Sequence, residues 1–238
     1  KDIMSKDEER TKVSTLKHEV WLVRHGQSVF NESMDTYFES NVTEKRHVEE
    51  DPYEWWERPD HYDPLTVDAK LTPKGIKQAA EVGNKIKDLK FDLFVVSPLQ
   101  RAVQTLGEIV KIKGDDEKTK VIVNPLASER GNSSCDVGSS IATLRKEFPS
   151  VDFSSLKEGK NWHALTQSPY KGSYCVVPNI SPPKVMEPLD EFGKRIDSFK
   201  SWLRSRPERR ICVVCHAVVI HEFTGTWVEN CSVTKVEL

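Results

Sequence analysis

Val20-Trp21-Leu22-Val23-Arg24-His25-Gly26-Gln27-Ser28 is the stretch on which the reading of the fold turns. Its short apolar run, Val20–Val23, stops abruptly at Arg24-His25-Gly26, the pattern of a buried strand running into a loop. Phe91–Val96 repeats that pattern as a continuous apolar run, suited to a strand covered on both faces, and ends at Ser97-Pro98. Val121–Val123, Ile211–Val214 and Val233–Val236 supply three more predicted strands. Helices are predicted between them. Thr72-Pro73 reads as an N-cap followed by proline at the first helical position, opening a helix over Pro73–Leu89. Helical spacing resumes over Leu99–Lys111, over Ile141–Phe148 and over Ala217–Gly225. Pro188–Arg206 carries Leu189, Phe192, Ile196, Phe199 and Leu203 on one stripe and stops at Pro207. Strands alternating with helices predict a three-layer α/β fold, a mostly parallel sheet with helices on both faces.

Two stretches fall outside this alternation. Glu32–Lys70 lacks a clean period and carries Tyr53, Trp55, Trp56, His61 and Tyr62, aromatics that either pack an insertion or shape a lid. Val151–Glu187 is irregular and contains several prolines. The expected organisation is therefore a polar, flexible leader over 1–17 and one domain over 18–238 with insertions at 32–70 and 151–187. Of 238 residues, 35 are basic and 37 acidic, a net charge of −2, so no global field points to nucleic acid or an anionic membrane. The longest apolar runs fall far short of the ~20 residues that span a bilayer. Five scattered cysteines fit a reducing compartment better than a disulfide framework. The N-x-S/T sequons at Asn31, Asn41, Asn132, Asn179 and Asn230 lack an accompanying secretion signal and read as chance; a cytoplasmic protein is expected.

His25 and His216 each stand just past the C-terminal end of a predicted strand, the edge at which open α/β sheets bind ligands. Cys212-Val-Val-Cys215-His216 also matches the attachment pattern of a c-type haem. Residues three apart on a strand face opposite sides of the sheet, so both thiols read as small buried hydrophobes. His221 reads as a surface or packed residue, and nothing marks His18, His47 or His163.

Leu22-Val23-Arg24-His25-Gly26-Gln27-Ser28 with Asn31 is followed, in order, by three further blocks. These are Leu71-Thr72-x-x-Gly75-x-x-Gln78-Ala79, Ser97-Pro98-Leu99-x-Arg101-Ala102-x-x-Thr105 and Val213-Val214-x-His216. The chain thereby resembles the histidine phosphatase superfamily, the phosphoglycerate-mutase-like proteins, in a eukaryotic phosphatase-like branch. The resemblance runs from Val20 to Val236. It implies a phosphatase or phosphomutase that takes a phosphoryl group onto His25. Arg24, Asn31, Arg101 and His216 would bind the phosphate, His216 would also belong to the catalytic set, and no metal or cofactor is required because side-chain donors supply the positive environment.

The chemistry gives a reason for this set. Neutral imidazole attacks phosphorus and imidazolium does not; Arg24 and Arg101 disfavour the charged form of His25. The same guanidinium groups match phosphate oxygens and stabilise charge during in-line transfer. The family places an acid after the third strand, where Glu129 of Leu126-Ala127-Ser128-Glu129-Arg130 stands; Asp136 is the reserve candidate for the proton donor. Two departures are visible. Ala217 follows the second histidine where glycine is common, and the stretch after Glu129 lacks the Tyr-Gly-x-Leu segment of true mutases. The second tilts the expectation toward a phosphomonoesterase, with a phosphomutase or a phosphate-binding pseudoenzyme as alternatives. The substrate would be a phosphorylated small molecule or a phosphoprotein.

Overall fold

A computed structural model describes residues 17–40, 66–114, 120–131, 133–156 and 187–238. Within these residues five strands form one sheet: β1 (Glu19–Arg24), β2 (Leu93–Val96), β3 (Lys120–Val123), β4 (Arg210–Cys215) and β5 (Val233–Glu237). Their order is β3-β2-β4-β1-β5, with β5 antiparallel to β1 and every other pairing parallel. Among the described residues six α-helices accompany the sheet: α1 (Val29–Ser40), α2 (Pro73–Lys85), α3 (Gln100–Lys113), α4 (Ile141–Glu147), α5 (Leu189–Arg204) and α6 (Ala217–Thr224). The expected three-layer, mostly parallel architecture is the observed one.

Alternation along the strands sorts the core into two halves. Val23, Phe94, Val96, Cys212 and Val214 meet α2, α3 and α4 on one face. Val20, Leu22, Leu93, Val95, Ile211, Val213 and Cys215 meet α5 and α6 on the other. Cys212 and Cys215 therefore lie on opposite faces of β4, which excludes one haem or one dithiol between them. Burial pushes the Cys212 thiol up to about 12.

The elements differ from expectation mainly at their ends, where helices fray. The larger difference is α1, which opens the stretch that showed no clean period. Among the described side chains of this helix only Phe30 is buried and most of the others face solvent, so they carry little apolar periodicity to read. The start of the second irregular stretch also packs: Phe153 and Leu156 sit in the core under α3 and α4. The aromatic group at 53–62 lies outside the described residues, as do His47 and His163.

The turn after β1 is fixed by two backbones in close approach. Gly26 and Gly75 face one another: a Cβ on Gly26 would strike the Gly75 carbonyl, and a Cβ on Gly75 would strike the carbonyl oxygen of Gln27. Thr72 caps α2 by accepting from Gly75 N at 3.0 Å, while its own N–H donates to Gln27 O at 3.0 Å. Overpacking of this kind costs about 1–3 kcal/mol, occasionally more. Gly75→Ala should therefore lower the melting temperature by roughly 3–10 °C, read by thermal unfolding of the variant beside the wild type; an unchanged midpoint would show that the turn relaxes freely.

Candidate active site

The four parallel strands β1 to β4 end on one edge of the sheet, and the residues singled out in the sequence follow directly from those ends. His25 is buried in the first loop residue after β1. Its N–H donates to Cys215 O at 3.0 Å, so the end of β4 holds it at the strand terminus. Its Nδ1 lies 2.7 Å from Gly26 O. A carbonyl only accepts, so Nδ1 carries the ring proton and Nε2 keeps its lone pair. Arg101 agrees with that assignment, its Nε–H donating to His25 Nε2 at 3.2 Å. His25 is held well below the ordinary histidine range, first by burial and then by Arg101 and Arg24. The arginines invoked from the sequence do act in the expected direction, but burial acts more strongly.

Arg101, in the first turn of α3, is itself positioned by Asp136. Nη2 donates to Asp136 Oδ1 at 2.8 Å, with both side chains 3% exposed, and Nη1 donates to the carbonyl of Cys135. Asp136 Oδ2 accepts from Ser133 N at 3.2 Å and Ser133 Oγ at 2.9 Å. The reserve proton donor thus has both oxygens engaged as acceptors and faces a guanidinium.

His216 caps α6, with its ring centroid 5.1 Å from that of His25. Its Nε2 lies 2.8 Å from Ser97 Oγ, which accepts from Leu99 N at 3.3 Å. A hydroxyl both donates and accepts, so this contact is met with the ring proton of His216 on either nitrogen. Burial first, then Arg101 and His25, keeps His216 neutral. Nδ1 is buried and has no partner among the described residues, and the same holds for Nε of Arg24, whose Nη1 donates to Val228 O at 2.6 Å. Asn31, in α1, accepts through Oδ1 from Ser28 N at 3.1 Å and from Asn230 Nδ2 at 3.3 Å. That leaves its amide nitrogen as the end able to donate outward.

Glu129 follows β3 and is partly exposed. Oε1 accepts from Arg130 N at 2.9 Å and Oε2 from Val218 N at 3.3 Å, in the first turn of α6. The Val218 amide at the start of α6 is therefore bonded to a carboxylate. Burial, aided by the neighbouring Asp136, raises Glu129 to about 7. Its charge is felt at Arg24 and Arg101, which puts the two arginines and the acid in one electrostatic neighbourhood.

Several residues here carried no sequence signal as site members. Thr105 and Gln78 belong to the quoted blocks, and their place is now physical: they accept from Gly26 N at 3.0 Å and Gln27 N at 2.8 Å. Asn230 donates to His25 O at 3.0 Å, and Cys231 N reaches both Arg24 O and His25 O. Cys231 sits at φ 60°, in the left-handed region, an uncommon conformation for a non-glycine residue, which these bonds help to hold. Among the described residues no group of three or more His, Cys, Asp or Glu side chains has the spacing of a metal site, and no helix is long and apolar enough to cross a membrane.

The family model of the histidine phosphatase superfamily (branch 1) matches residues 64–237. An Arabidopsis thaliana phosphoglycerate mutase-like protein is 24% identical over 195 residues, 69% of this chain and 65% of that protein. A Schizosaccharomyces pombe protein named as a probable phosphatase is 29% identical over 164 residues, 68% of this chain and 66% of that one. The chain thus spans slightly less than two thirds of the length of either relative. The crystal structure of phosphoglycerate mutase from Bacillus anthracis superposes with a TM-score of 0.55 at 17% identity, covering 95% of this chain and 90% of the other. At that identity the likeness concerns the fold.

Proposed function

The chain belongs to the histidine phosphatase superfamily, branch 1, and from that premise we propose that it is a phosphomonoesterase working through a phosphohistidine on His25, with side-chain cations in place of a metal. One observation carries the reading. Two buried nitrogens, Arg24 Nε and His216 Nδ1, have no partner among the described residues, and they belong to residues grouped around the lone pair of His25. Buried polar groups are almost always paired. An oxyanion bound against His25 Nε2 would accept from Arg24 Nε and would favour the His216 tautomer that carries its proton on Nδ1.

The residues divide the work as follows. A phosphate ester enters with its phosphorus facing His25 Nε2, and the Nε–H of Arg101 passes from that nitrogen to a phosphoryl oxygen. Arg24, Asn31 and His216 donate to the remaining oxygens and stabilise their charge in the transition state. Nε2 forms a bond to phosphorus as the ester P–O bond breaks, and Glu129 delivers its proton to the departing alkoxide. The phosphoimidazole keeps its Nδ1–H on the Gly26 carbonyl. Water then attacks phosphorus, Glu129 takes the water's proton, and phosphate leaves with His25 restored. The absence of the mutases' Tyr-Gly-x-Leu segment favours water over a second substrate hydroxyl as acceptor.

Glu129 must hold its proton for the first step, so transfer to His25 should decline as pH rises through about 7. Glu129→Gln should remove that limb and slow an alkyl phosphate by about 10²–10³; a profile identical to that of the wild type would move the role elsewhere. The same group sets a stability signature. Its folded-state value lies above the ordinary 4.5, so the unfolded chain loses this proton first and stability falls between about pH 4.5 and 7. The melting temperature of Glu129→Gln should therefore gain on the wild type across that window.

The reading itself is tested with an aryl phosphate in the presence of a chelator, trapping acid-labile phosphoprotein. Absence of both turnover and labelling would leave only a phosphate-binding role. Turnover that required a bisphosphorylated cofactor would indicate a mutase.

A further inference from the structure

Arg195 stands in the apolar stripe of α5 between Phe192 and Ile196, where a cation needs a buried partner. Its side chain is 8% exposed and that of Glu187 4%. The pair is bidentate: Nε donates to Glu187 Oε1 at 2.8 Å and Nη2 to Oε2 at 2.6 Å. The rest of the guanidinium faces the loop that carries Glu129. Nη1 donates to Leu126 O at 2.8 Å and Ser128 O at 2.9 Å, and Nη2 to Glu129 O at 3.1 Å. These bonds use all five N–H groups of an arginine. Glu187 is tied to the same loop through its backbone, donating to Gly131 O at 2.6 Å and accepting from Arg130 Nε at 3.0 Å.

By contrast, the carboxylate of Glu129 has two holds of its own: the amide of the next residue and a 3.3 Å bond from Val218 N. Where that carboxylate sits is thus governed by where the backbone of Leu126–Gly131 sits. We propose that Glu187 and Arg195 form a clamp that positions Glu129 for proton delivery, making them positioning residues for phosphoryl transfer. The inference rests on the reading of Glu129 as the proton donor. Lysine could not replace Arg195 fully: its single ammonium has three donors and no planar fork.

The test is leaving-group dependence. kcat/KM reports transfer up to His25 and excludes the later hydrolysis. 2,4-Dinitrophenyl phosphate has a leaving group that departs without a proton, whereas glycerol phosphate needs one. Glu187→Met/Arg195→Met removes both charges together and avoids stranding either in the core; Arg195→Lys is the milder companion should the double variant fold poorly. For the double variant, kcat/KM on glycerol phosphate should fall by about 10–100-fold while that on the dinitrophenyl ester changes by less than about 3-fold. Arg195→Lys should move the same way to a smaller extent. Equal losses on both esters would overturn the inference, because the pair would then be supporting the pocket as a whole. Glu129→Gln is assayed in parallel. If it shows no leaving-group dependence, the reading of Glu129 fails. If it does while both clamp variants match the wild type, the clamp alone fails.

Discussion

Replacement of His25 by alanine is expected to abolish acid-labile labelling by an aryl phosphate and to lower turnover by on the order of 10⁴-fold or more, the scale on which removal of a covalent nucleophile acts. The geometry makes the expectation narrower than loss of activity. Nδ1 is committed as a donor to Gly26 O, and Nε2 alone carries a lone pair. The wild-type phosphoprotein should therefore hold its phosphate on Nε2, which the phosphorus resonance of the denatured, alkali-stabilised protein distinguishes from the Nδ1 isomer. Nδ1-phosphohistidine would mean that the Gly26 bond does not set the tautomer. Folding should survive, since His25 is small and its backbone bonds to Cys215 and Asn230 remain. Arg101 would lose an acceptor, but water entering the vacated volume can replace it. Labelling that persisted in His25→Ala would shift the nucleophile to another group and remove the basis of the proposed mechanism.

What the sequence made legible follows from how each residue is placed. Arg24, His25 and His216 were readable because each lies within one or two residues of a strand end, and strands announce themselves by apolar runs. Arg101 follows β2 by one tight turn into α3 and was read from the resemblance of its block, Ser97-Pro98-Leu99-x-Arg101-Ala102. The residues that steer them were hidden by distance along the chain. Asn230 meets His25 across 205 positions, and Arg195 meets the loop of Glu129 across 66 to 69. For Arg195 a signal did exist, a cation inside the stripe Phe192, Ile196, Phe199. For Asn230 there was none. Helix α1 escaped notice because a helix that buries little writes little periodicity into its sequence. Arg101 and Arg24 lower the His25 pKa, the direction read from the sequence, but burial, the larger cause, belongs to the assembled fold and to no local pattern.

These placements explain why the site can hold cations close together before any anion arrives. Arg101 is compensated by Asp136, and Arg24 donates to the carbonyl of Val228. The two histidines stay neutral, so the pocket offers donors without a charge on each one. In the proposed mechanism these paired groups would preorganise the positive field, the arrangement that favours a transition state over solvent reorganisation.

Arg101→Met tests that arrangement and should show two separable losses. The first is catalytic. The guanidinium orients His25 Nε2 and would supply charge-assisted bonds to the phosphoryl oxygens, so kcat should fall by about 10³-fold, in the range seen for single arginines in phosphoryl transfer. The second is structural. Asp136 would keep its bonds from Ser133 but lose its cation at a site where its side chain is 3% exposed. Breaking a buried pair by removing one partner costs about 3–5 kcal/mol, most of it from the stranded charge. Arg101→Met/Asp136→Asn removes that charge as well. It should recover most of the lost stability in denaturant unfolding and none of the lost turnover. Recovery of activity along with stability would mean that Arg101 serves the fold alone and that Arg24 and His216 suffice to bind the phosphoryl group. Persistence of both losses would mean that Asp136 contributes through Ser133 and Cys135 more than through Arg101. The proposed division of labour requires the remaining outcome, in which the two losses separate.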